Sequence, residues 1–190
     1  MTIDVIDFAK KLIACPSITP QEAGALTLLQ EALEGMGFTV WRETFSEDSF
    51  EDTENLYARL GDAAPNLCFA GHTDVVPLGD RAAWTQDPFG GVIKDGWLYG
   101  RGTVDMKYML VENLISFLWL KSNKTELNRD VILLALSDEE AGCDHGSRFL
   151  VEKHPKLIEA RWGLNELGGF PIYVQGKNKM YLVQVAEKGL

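Results

Sequence analysis

The sequence predicts a layered α/β domain, and two observations carry that prediction. Stretches with helical spacing of apolar residues alternate with strand-like stretches along the 190 residues. The central strand candidates, "NLCFAGH" and "RDVILLALS", are apolar on both faces, as expected of strands that helices cover on two sides. The length suits one domain with a sizeable core.

Four helices are predicted from apolar spacing and from residues that stop a helix. Apolar residues recur at helical spacing over residues 3–13, and Pro16 ends this first helix. A second helix follows "SITPQEAG", and Gly35 and Gly37 close it. A long amphipathic helix is expected over about residues 105–122, and a fourth in "HGSRFLVEKHP" that breaks at Pro155.

Strands are expected in the stretches between these helices. They are "FTVWRETF", "LYARLG", "NLCFAGH", "RDVILLALS" and a last buried strand in "RWGLNELGG". The dipeptide Asp95-Gly96 is typical of a hairpin turn, here between two short strands. "FPIYVQG" and "KMYLVQVAEKG" are predicted to pair as a second hairpin.

Composition and charge narrow the classes of partner. The chain has 18 basic and 28 acidic residues, a net charge of -10, and no block of lysine and arginine. Nucleic acid and anionic membrane surfaces are therefore not expected as partners. No run of about 18 apolar residues is present, so no transmembrane helix is expected.

The cysteines and the first residues bear on location. Cys15, Cys68 and Cys143 lie far apart and form no CxxC pair, which argues against a disulfide framework and favours a reducing compartment. The stretch "MTIDVIDFAKKLIACPS" carries acids where a signal peptide carries bases. We therefore predict a cytoplasmic protein.

Acidic residues and one histidine follow several predicted strands. They are His72 and Asp74 after "LCFAG", Asp105 after "WLYGRG", Asp138, Glu139 and Glu140 after "VILLALS", and Glu166 after "WGLN". Ligands bind beyond the carboxyl ends of strands in open α/β sheets, so we expect these side chains to converge. Clustered carboxylates repel one another unless a cation neutralises them. One histidine with several carboxylates suits zinc, with manganese or cobalt as alternatives.

Each of these residues also has an ordinary structural interpretation. His72 alone could be a histidine buried at a strand end, and Asp105 could cap the helix that follows it. The acids at 138–140 could lie in a solvated loop or at a helix N-terminus, which is the role expected of Asp138. Alternatively, one glutamate of the 139–140 pair binds metal while the other serves as general base to a water.

Four stretches, "GHTDVVP", "YGRGTVDMK", "SDEEAG" and "LNELGG", resemble the motifs of a known family in order and spacing. It is the dizinc metallopeptidase and deacylase family of succinyl-diaminopimelate desuccinylase, acetylornithine deacetylase, aminoacylase and glutamate carboxypeptidase. The resemblance implies a three-layer α/β/α fold with a mixed, mostly parallel central sheet. It also implies a cis peptide bond after Asp105.

The resemblance assigns roles to six residues. It implies two zinc ions, bridged by Asp105, and four metal ligands: His72, Asp105, Glu140 and Glu166. In this scheme His72 and Glu166 bind one zinc and Glu140 binds the other. Glu139 would be the general base, and Asp74 would accept a hydrogen bond from the other ring nitrogen of His72.

The family's chemistry is hydrolysis of an amide next to a free carboxylate, so the implied substrate is an N-acyl amino acid or a peptide. Family chains are longer and carry a lid domain and a C-terminal return segment with a final histidine. Residues 1–190 are thus expected to form the N-terminal part of a catalytic domain, with both of those missing. A truncated, non-catalytic relic or metal-binding module is the alternative, as is completion of the site by another chain. An uncovered sheet edge would favour self-association.

Overall fold

A computed structural model describes residues 3–63, 67–123, 126–166, 171–174 and 178–181. The helices are α1 (Val5–Ala14), α2 (Ala25–Gly35), α3 (Lys107–Ser122), α4 (Phe149–Lys153) and α5 (Pro155–Ile158). The strands are β1 (Thr39–Phe45), β2 (Thr53–Leu60), β3 (Leu67–His72), β4 (Val92–Lys94), β5 (Trp97–Tyr99), β6 (Val131–Leu136), β7 (Trp162–Leu164), β8 (Pro171–Val174) and β9 (Asn178–Tyr181). Pro155 thus ends α4 and also begins the short helix α5.

The central sheet has five strands in the order β1-β2-β6-β3-β7. Strand β2 runs antiparallel to both of its neighbours, β1 and β6, whereas β3 runs parallel to both β6 and β7. Four of the five strands therefore point the same way, and only β2 is reversed. The predicted mixed, mostly parallel sheet is confirmed.

Helices cover both faces of this sheet, because the side chains of β6 alternate between two cores. Positions 131, 133 and 135 pack with apolar residues of α1, α2 and α3. Positions 132, 134 and 136 pack on the other face with residues of α4 and α5. The predicted three-layer arrangement is confirmed, and both cores meet at a strand that is buried along its whole length.

Leu133→Ala is expected to lower the free energy of unfolding by about 3 kcal/mol, because it removes a buried side chain and leaves a cavity. Leu133 is 0% exposed at the centre of the larger core. Leu127 is 37% exposed, so Leu127→Ala should cost about 1 kcal/mol or less. Urea unfolding followed by circular dichroism measures both values. Equal losses would contradict the placement of Leu133.

The two predicted hairpins are present, and the first corrects an expectation. Asp95 and Gly96 both have positive φ, 53° and 81°, as the turn between β4 and β5 requires. These two strands form a separate sheet, so Asp105 does not follow a strand of the central sheet as expected. Instead it lies directly before α3. Strands β8 and β9 pair antiparallel, as predicted.

The last strand of the central sheet, β7, was expected to be buried and is not. Trp162 is 57% exposed and Leu164 is 50% exposed. Among the described residues β7 lies at the edge of the sheet, so one neighbour is absent and its side chains stay open to solvent. In the described part of the chain, no helix combines the length and apolar character needed to cross a bilayer.

Candidate metal centre

The register of parallel strands brings the histidine and the paired glutamates to the same edge of the sheet. His72, the last residue of β3, pairs with Leu136, the last residue of β6. Thr73 N–H then donates to the Leu136 carbonyl at 2.7 Å, so both chains leave the sheet side by side. After β6 the chain continues through residues 137 and 138 into a 3₁₀ turn, Glu139–Ala141.

Two further segments bring their carboxylates to the same place. Glu166 follows β7, which is the other parallel neighbour of β3. Asp105 is held beside β3 by the next residue, because the Sδ of buried Met106 accepts a hydrogen bond from His72 N–H at 3.2 Å. Gly71 makes this contact feasible, since a Cβ there would lie 3.0 Å from the Met106 Cε. The peptide between Asp105 and Met106 is cis, as the resemblance implied.

The carboxylates of three segments surround one nitrogen atom. The Nε2 atom of His72 lies 3.2 Å from Asp105 Oδ1, 3.4 Å from Glu166 Oε2 and 3.6 Å from Glu139 Oε2. The histidine is only 1% exposed, whereas Asp105 is 65% exposed, so the cluster opens to solvent on the side of the aspartate. The structure therefore brings residues from positions 72 to 166 into one open, acidic site.

Two overlapping groups of side chains have the spacing that a metal ion needs. His72, Asp105 and Glu140 form one group, and His72, Glu139 and Glu166 form the other. Within each group the ligand atoms lie within 4.8 Å of one another. The resemblance implied that Asp105 is shared by two ions, with His72 and Glu166 on one and Glu140 on the other, and that Glu139 is the base. The six predicted site residues lie together, and their individual roles as ligand or base stay predictions.

Asp74 contacts both His72 and the backbone of the paired glutamates. Its carboxylate is buried, with Oδ1 3.3 Å from His72 Nδ1, and its backbone carbonyl accepts a closer hydrogen bond from Nδ1 at 2.9 Å. Because a carbonyl oxygen can only accept, Nδ1 is the donor in this bond, so Nε2 is the nitrogen that can bind a metal once it has lost its proton. The carboxylate also accepts hydrogen bonds from the backbone N–H groups of Glu139, at 3.2 Å, and Glu140, at 3.1 Å. The sequence predicted the contact between Asp74 and the ring nitrogen of His72, but not the hydrogen bonds to the backbone of Glu139 and Glu140.

The pKa shifts in the cluster follow from burial and from the charges of neighbouring side chains. Burial alone would lower the pKa of His72, but the hydrogen bond and charge of Asp74 and the charge of Glu166 raise it to about 9. Burial and the charge of Asp105 raise the pKa of Glu140, against the opposing charge of His72. Burial and neighbouring carboxylates likewise raise the pKa of Glu166. A divalent cation would relieve this repulsion, so the donor set fits a metal ion.

Met106 and Gly71 are structural contributors that sequence reasoning did not single out. Both occur inside the quoted motif region, yet their contact joins positions 35 apart and carries no local signal. Asp138 precedes the 139–141 turn as expected, but its buried carboxylate does not cap that turn and accepts a hydrogen bond from the backbone N–H of His145 instead.

Metal binding at about pH 7.5 is expected to release about one proton, because His72 is protonated below pH 9 and binds a metal only when neutral. The apparent affinity should rise about tenfold per pH unit up to that value. In the metal-free protein the sign is opposite: the contribution of His72 to stability is complete below pH 6.5 and is lost as the pH rises through 9. Calorimetric titration of zinc in buffers of different ionisation enthalpy counts the protons. Zero released protons would contradict ligation by His72.

Comparison with known proteins agrees with this geometry. Residues 68–178 match the model of peptidase family M20/M25/M40. The succinyl-diaminopimelate desuccinylase of Rhodospirillum centenum is 50% identical over 156 residues, which cover 80% of this chain and 39% of that protein. A desuccinylase of Rhodopseudomonas palustris is 46% identical over 152 residues with the same two coverages. The chain thus spans about 39% of the length of these curated relatives.

Solved structures share the fold at lower identity. An M20 family metallo-carboxypeptidase from Sulfolobus solfataricus has a TM-score of 0.74 at 24% identity, over 87% of this chain and 37% of that chain. Human carnosine dipeptidase 1 has a TM-score of 0.71 at 21% identity, over 85% of this chain and 38% of that chain. The motifs, the acidic cluster and a family match over more than half of the residues lead to one conclusion: the chain belongs to the hydrolase family M20/M25/M40 of metal-dependent peptidases.

Proposed function

We propose that residues 1–190 form the N-terminal part of the catalytic domain of a metal-dependent hydrolase. The bond cleaved is the amide of an N-acyl amino acid or peptide, in a reaction of deacylase or carboxypeptidase type. The observation that carries the proposal is the convergence of Asp105, Glu139 and Glu166 on Nε2 of buried His72. The names of the relatives favour a succinyl group as the acyl part.

The residues that would hold the metal are His72, Asp105, Glu140 and Glu166. Zinc suits one imidazole with several carboxylates, two ions are proposed, and cobalt or manganese could replace them. When bound, the metal supplies Lewis acidity that polarises the amide carbonyl and makes water a better nucleophile. Asp74 keeps the proton on Nδ1 of His72 so that Nε2 is free to bind.

Glu139 is proposed as the general base. It takes a proton from the attacking water as the oxygen bonds to the carbonyl carbon, and it gives that proton to the nitrogen as the amide bond breaks. The carboxylic acid so formed gives its remaining proton to the solvent at neutral pH, so the products are a carboxylate and a free amine. Glu139 suits this task because its carboxylate lies among the ligands yet is about one-third exposed, so water and substrate can reach it.

The proposal also covers the substrate, self-association and cellular location of the protein. The substrate is a small molecule, and the net charge of -10 argues against nucleic acid. The exposed edge of β7, with Trp162 and Leu164, is the surface proposed for self-association. All three cysteines are free thiols, in keeping with the cytoplasmic location proposed from the sequence.

The test is a direct assay of the purified chain. Bound metal is measured by mass spectrometry, and release of free amine is measured with N-succinyl amino acids, N-acetyl amino acids and dipeptides, each with added zinc, cobalt or manganese. Turnover that a chelator abolishes and added metal restores is expected. Bound metal without turnover would overturn hydrolysis by this chain and favour a metal-binding module. Folded protein that binds no metal would overturn the ligand assignment.

A further inference from the structure

The loop that carries Glu139 and Glu140 is closed by the residue before them. Asp138 is 2% exposed, and its Oδ2 accepts a hydrogen bond from His145 N–H at 2.6 Å. Its backbone carbonyl accepts two more, from Ala141 N–H at 3.0 Å and from Cys143 N–H at 3.1 Å. The side chain and the carbonyl of Asp138 thus bind the backbone of the loop at residues 141, 143 and 145.

The same loop is fastened to the reversed strand β2. Buried Asn55 donates from Nδ2 to the carbonyl of His145 at 3.0 Å. The imidazole of His145 stacks on Phe45 of β1, with the ring centroids 4.2 Å apart and the planes 7° from parallel. These contacts join the far arm of the loop to the antiparallel side of the sheet, away from the metal ligands.

Gly146 allows the loop, the Asp138 carboxylate and Asn55 of β2 to approach one another closely. A Cβ at this position would lie 2.2 Å from Asp138 Oδ1 and 3.2 Å from Asn55 Oδ1, and real Cβ atoms do not approach other atoms as closely as the first of these distances. Any side chain here must displace the Asp138 carboxylate. A substitution at Gly146 therefore disturbs the contacts of Asp138 with the loop.

On its other side the loop is held by Asp74, which accepts hydrogen bonds from Glu139 N–H and Glu140 N–H. Asp74, which follows β3, fixes the backbone of the two glutamates, Asp138 ties the loop to itself, and Asn55 of β2 fixes its far end at residue 145. Two restraints from opposite sides define the direction in which both side chains leave the backbone. With only one of these restraints, the loop could still rotate about its single point of attachment.

We propose that Asp138, Asn55 and Gly146 form a positioning clamp, here called the Asp138 clamp, that orients Glu139 and Glu140 toward His72. None of the three is proposed to touch metal or substrate. The inference rests on the proposed function, because it assumes that these glutamates act on a metal ion. It extends that function by assigning a role to β2, the reversed strand.

The test uses Co²⁺ as the probe, because its visible absorption reports the geometry of its ligands. Gly146→Ala should weaken Co²⁺ binding about 10- to 100-fold and change the absorption spectrum, as for other residues that support metal ligands. Asp138→Ala should act in the same direction. The matched control is Gly163→Ala, since a Cβ there has no atom within 4 Å, and it should bind Co²⁺ like the wild type.

Thermal unfolding is recorded for each variant so that binding is compared between folded proteins. Asn55→Ala, which adds no atoms, replaces Gly146→Ala if the latter does not fold. Folded variants with the wild-type affinity and spectrum would overturn the clamp. So would losses of binding that match the unfolded fraction, because they would show a purely structural role. Failure of the wild type to bind Co²⁺ would instead overturn the proposed function, and the clamp with it.

Discussion

Glu139→Gln is expected to lower the rate of amide hydrolysis about a thousandfold while leaving the bound metal in place. Glutamine has nearly the shape of glutamate but cannot accept a proton from water. The side chain lies 3.6 Å from the histidine at the centre of the cluster, so a loss of proton transfer acts at the reacting atoms. The measurements are kcat and kcat/KM with an N-succinyl amino acid, together with metal content.

Glu140→Gln is the matched control, because it makes the same change at the next residue. It should lose metal, since Glu140 groups with His72 and Asp105 as a ligand set. The contrast matters because Glu139 also has the spacing of a ligand, with His72 and Glu166. If Glu139→Gln loses metal and Glu140→Gln keeps it, the two roles are exchanged and the proposed base is wrong.

His72→Ala is expected to weaken zinc binding by at least about 100-fold. Loss of a residue that merely supports a metal ligand costs 10- to 100-fold in affinity, and loss of the ligand itself must cost more. His72 belongs to both ligand groups, so no other single substitution among the described residues removes a donor from each. Competition with a chromophoric chelator measures the affinity.

His154→Ala provides the control for a lost imidazole. His154 is about one-third exposed, and its Nε2 lies 3.6 Å from Glu43 at the surface, away from the cluster. Its removal should leave zinc affinity unchanged, with a small loss of stability from its edge contact with Phe149. Wild-type affinity in folded His72→Ala protein would show that the carboxylates bind metal without the histidine.

Much of the architecture could be predicted because its signals are local. The alternation of helices and strands, the apolar run of β6 and the Asp95-Gly96 turn each depend on a few neighbouring residues. The convergence of His72, Glu139, Glu140 and Glu166 was also predictable, because parallel strands carry the residues that follow them to a shared edge, whereas Asp105 reaches the site from the segment before α3. The resemblance of four motifs added the roles, which local patterns alone left open.

The contacts that hold the site together were not predictable, because they join distant segments of the chain. Asp74 accepts hydrogen bonds from the backbone of Glu139 and Glu140, which follow it by 65 and 66 positions. Met106 accepts one from His72, which precedes it by 34 positions. No spacing rule encodes such pairs. The exposure of β7 was missed for a related reason: an apolar composition predicts a strand, but burial depends on which neighbours the sheet supplies.

The chain's local chemistry therefore determines the α/β order, the strand ends and the acidic residues that follow them. Tertiary structure decides which carboxylates share His72, which nitrogen of its ring carries the proton, and how Asp74 and Asp138 restrain the glutamate pair. The physical reason is distance along the chain. Backbone propensity acts over a few residues, whereas a metal centre requires side chains from four segments to converge within a few ångströms.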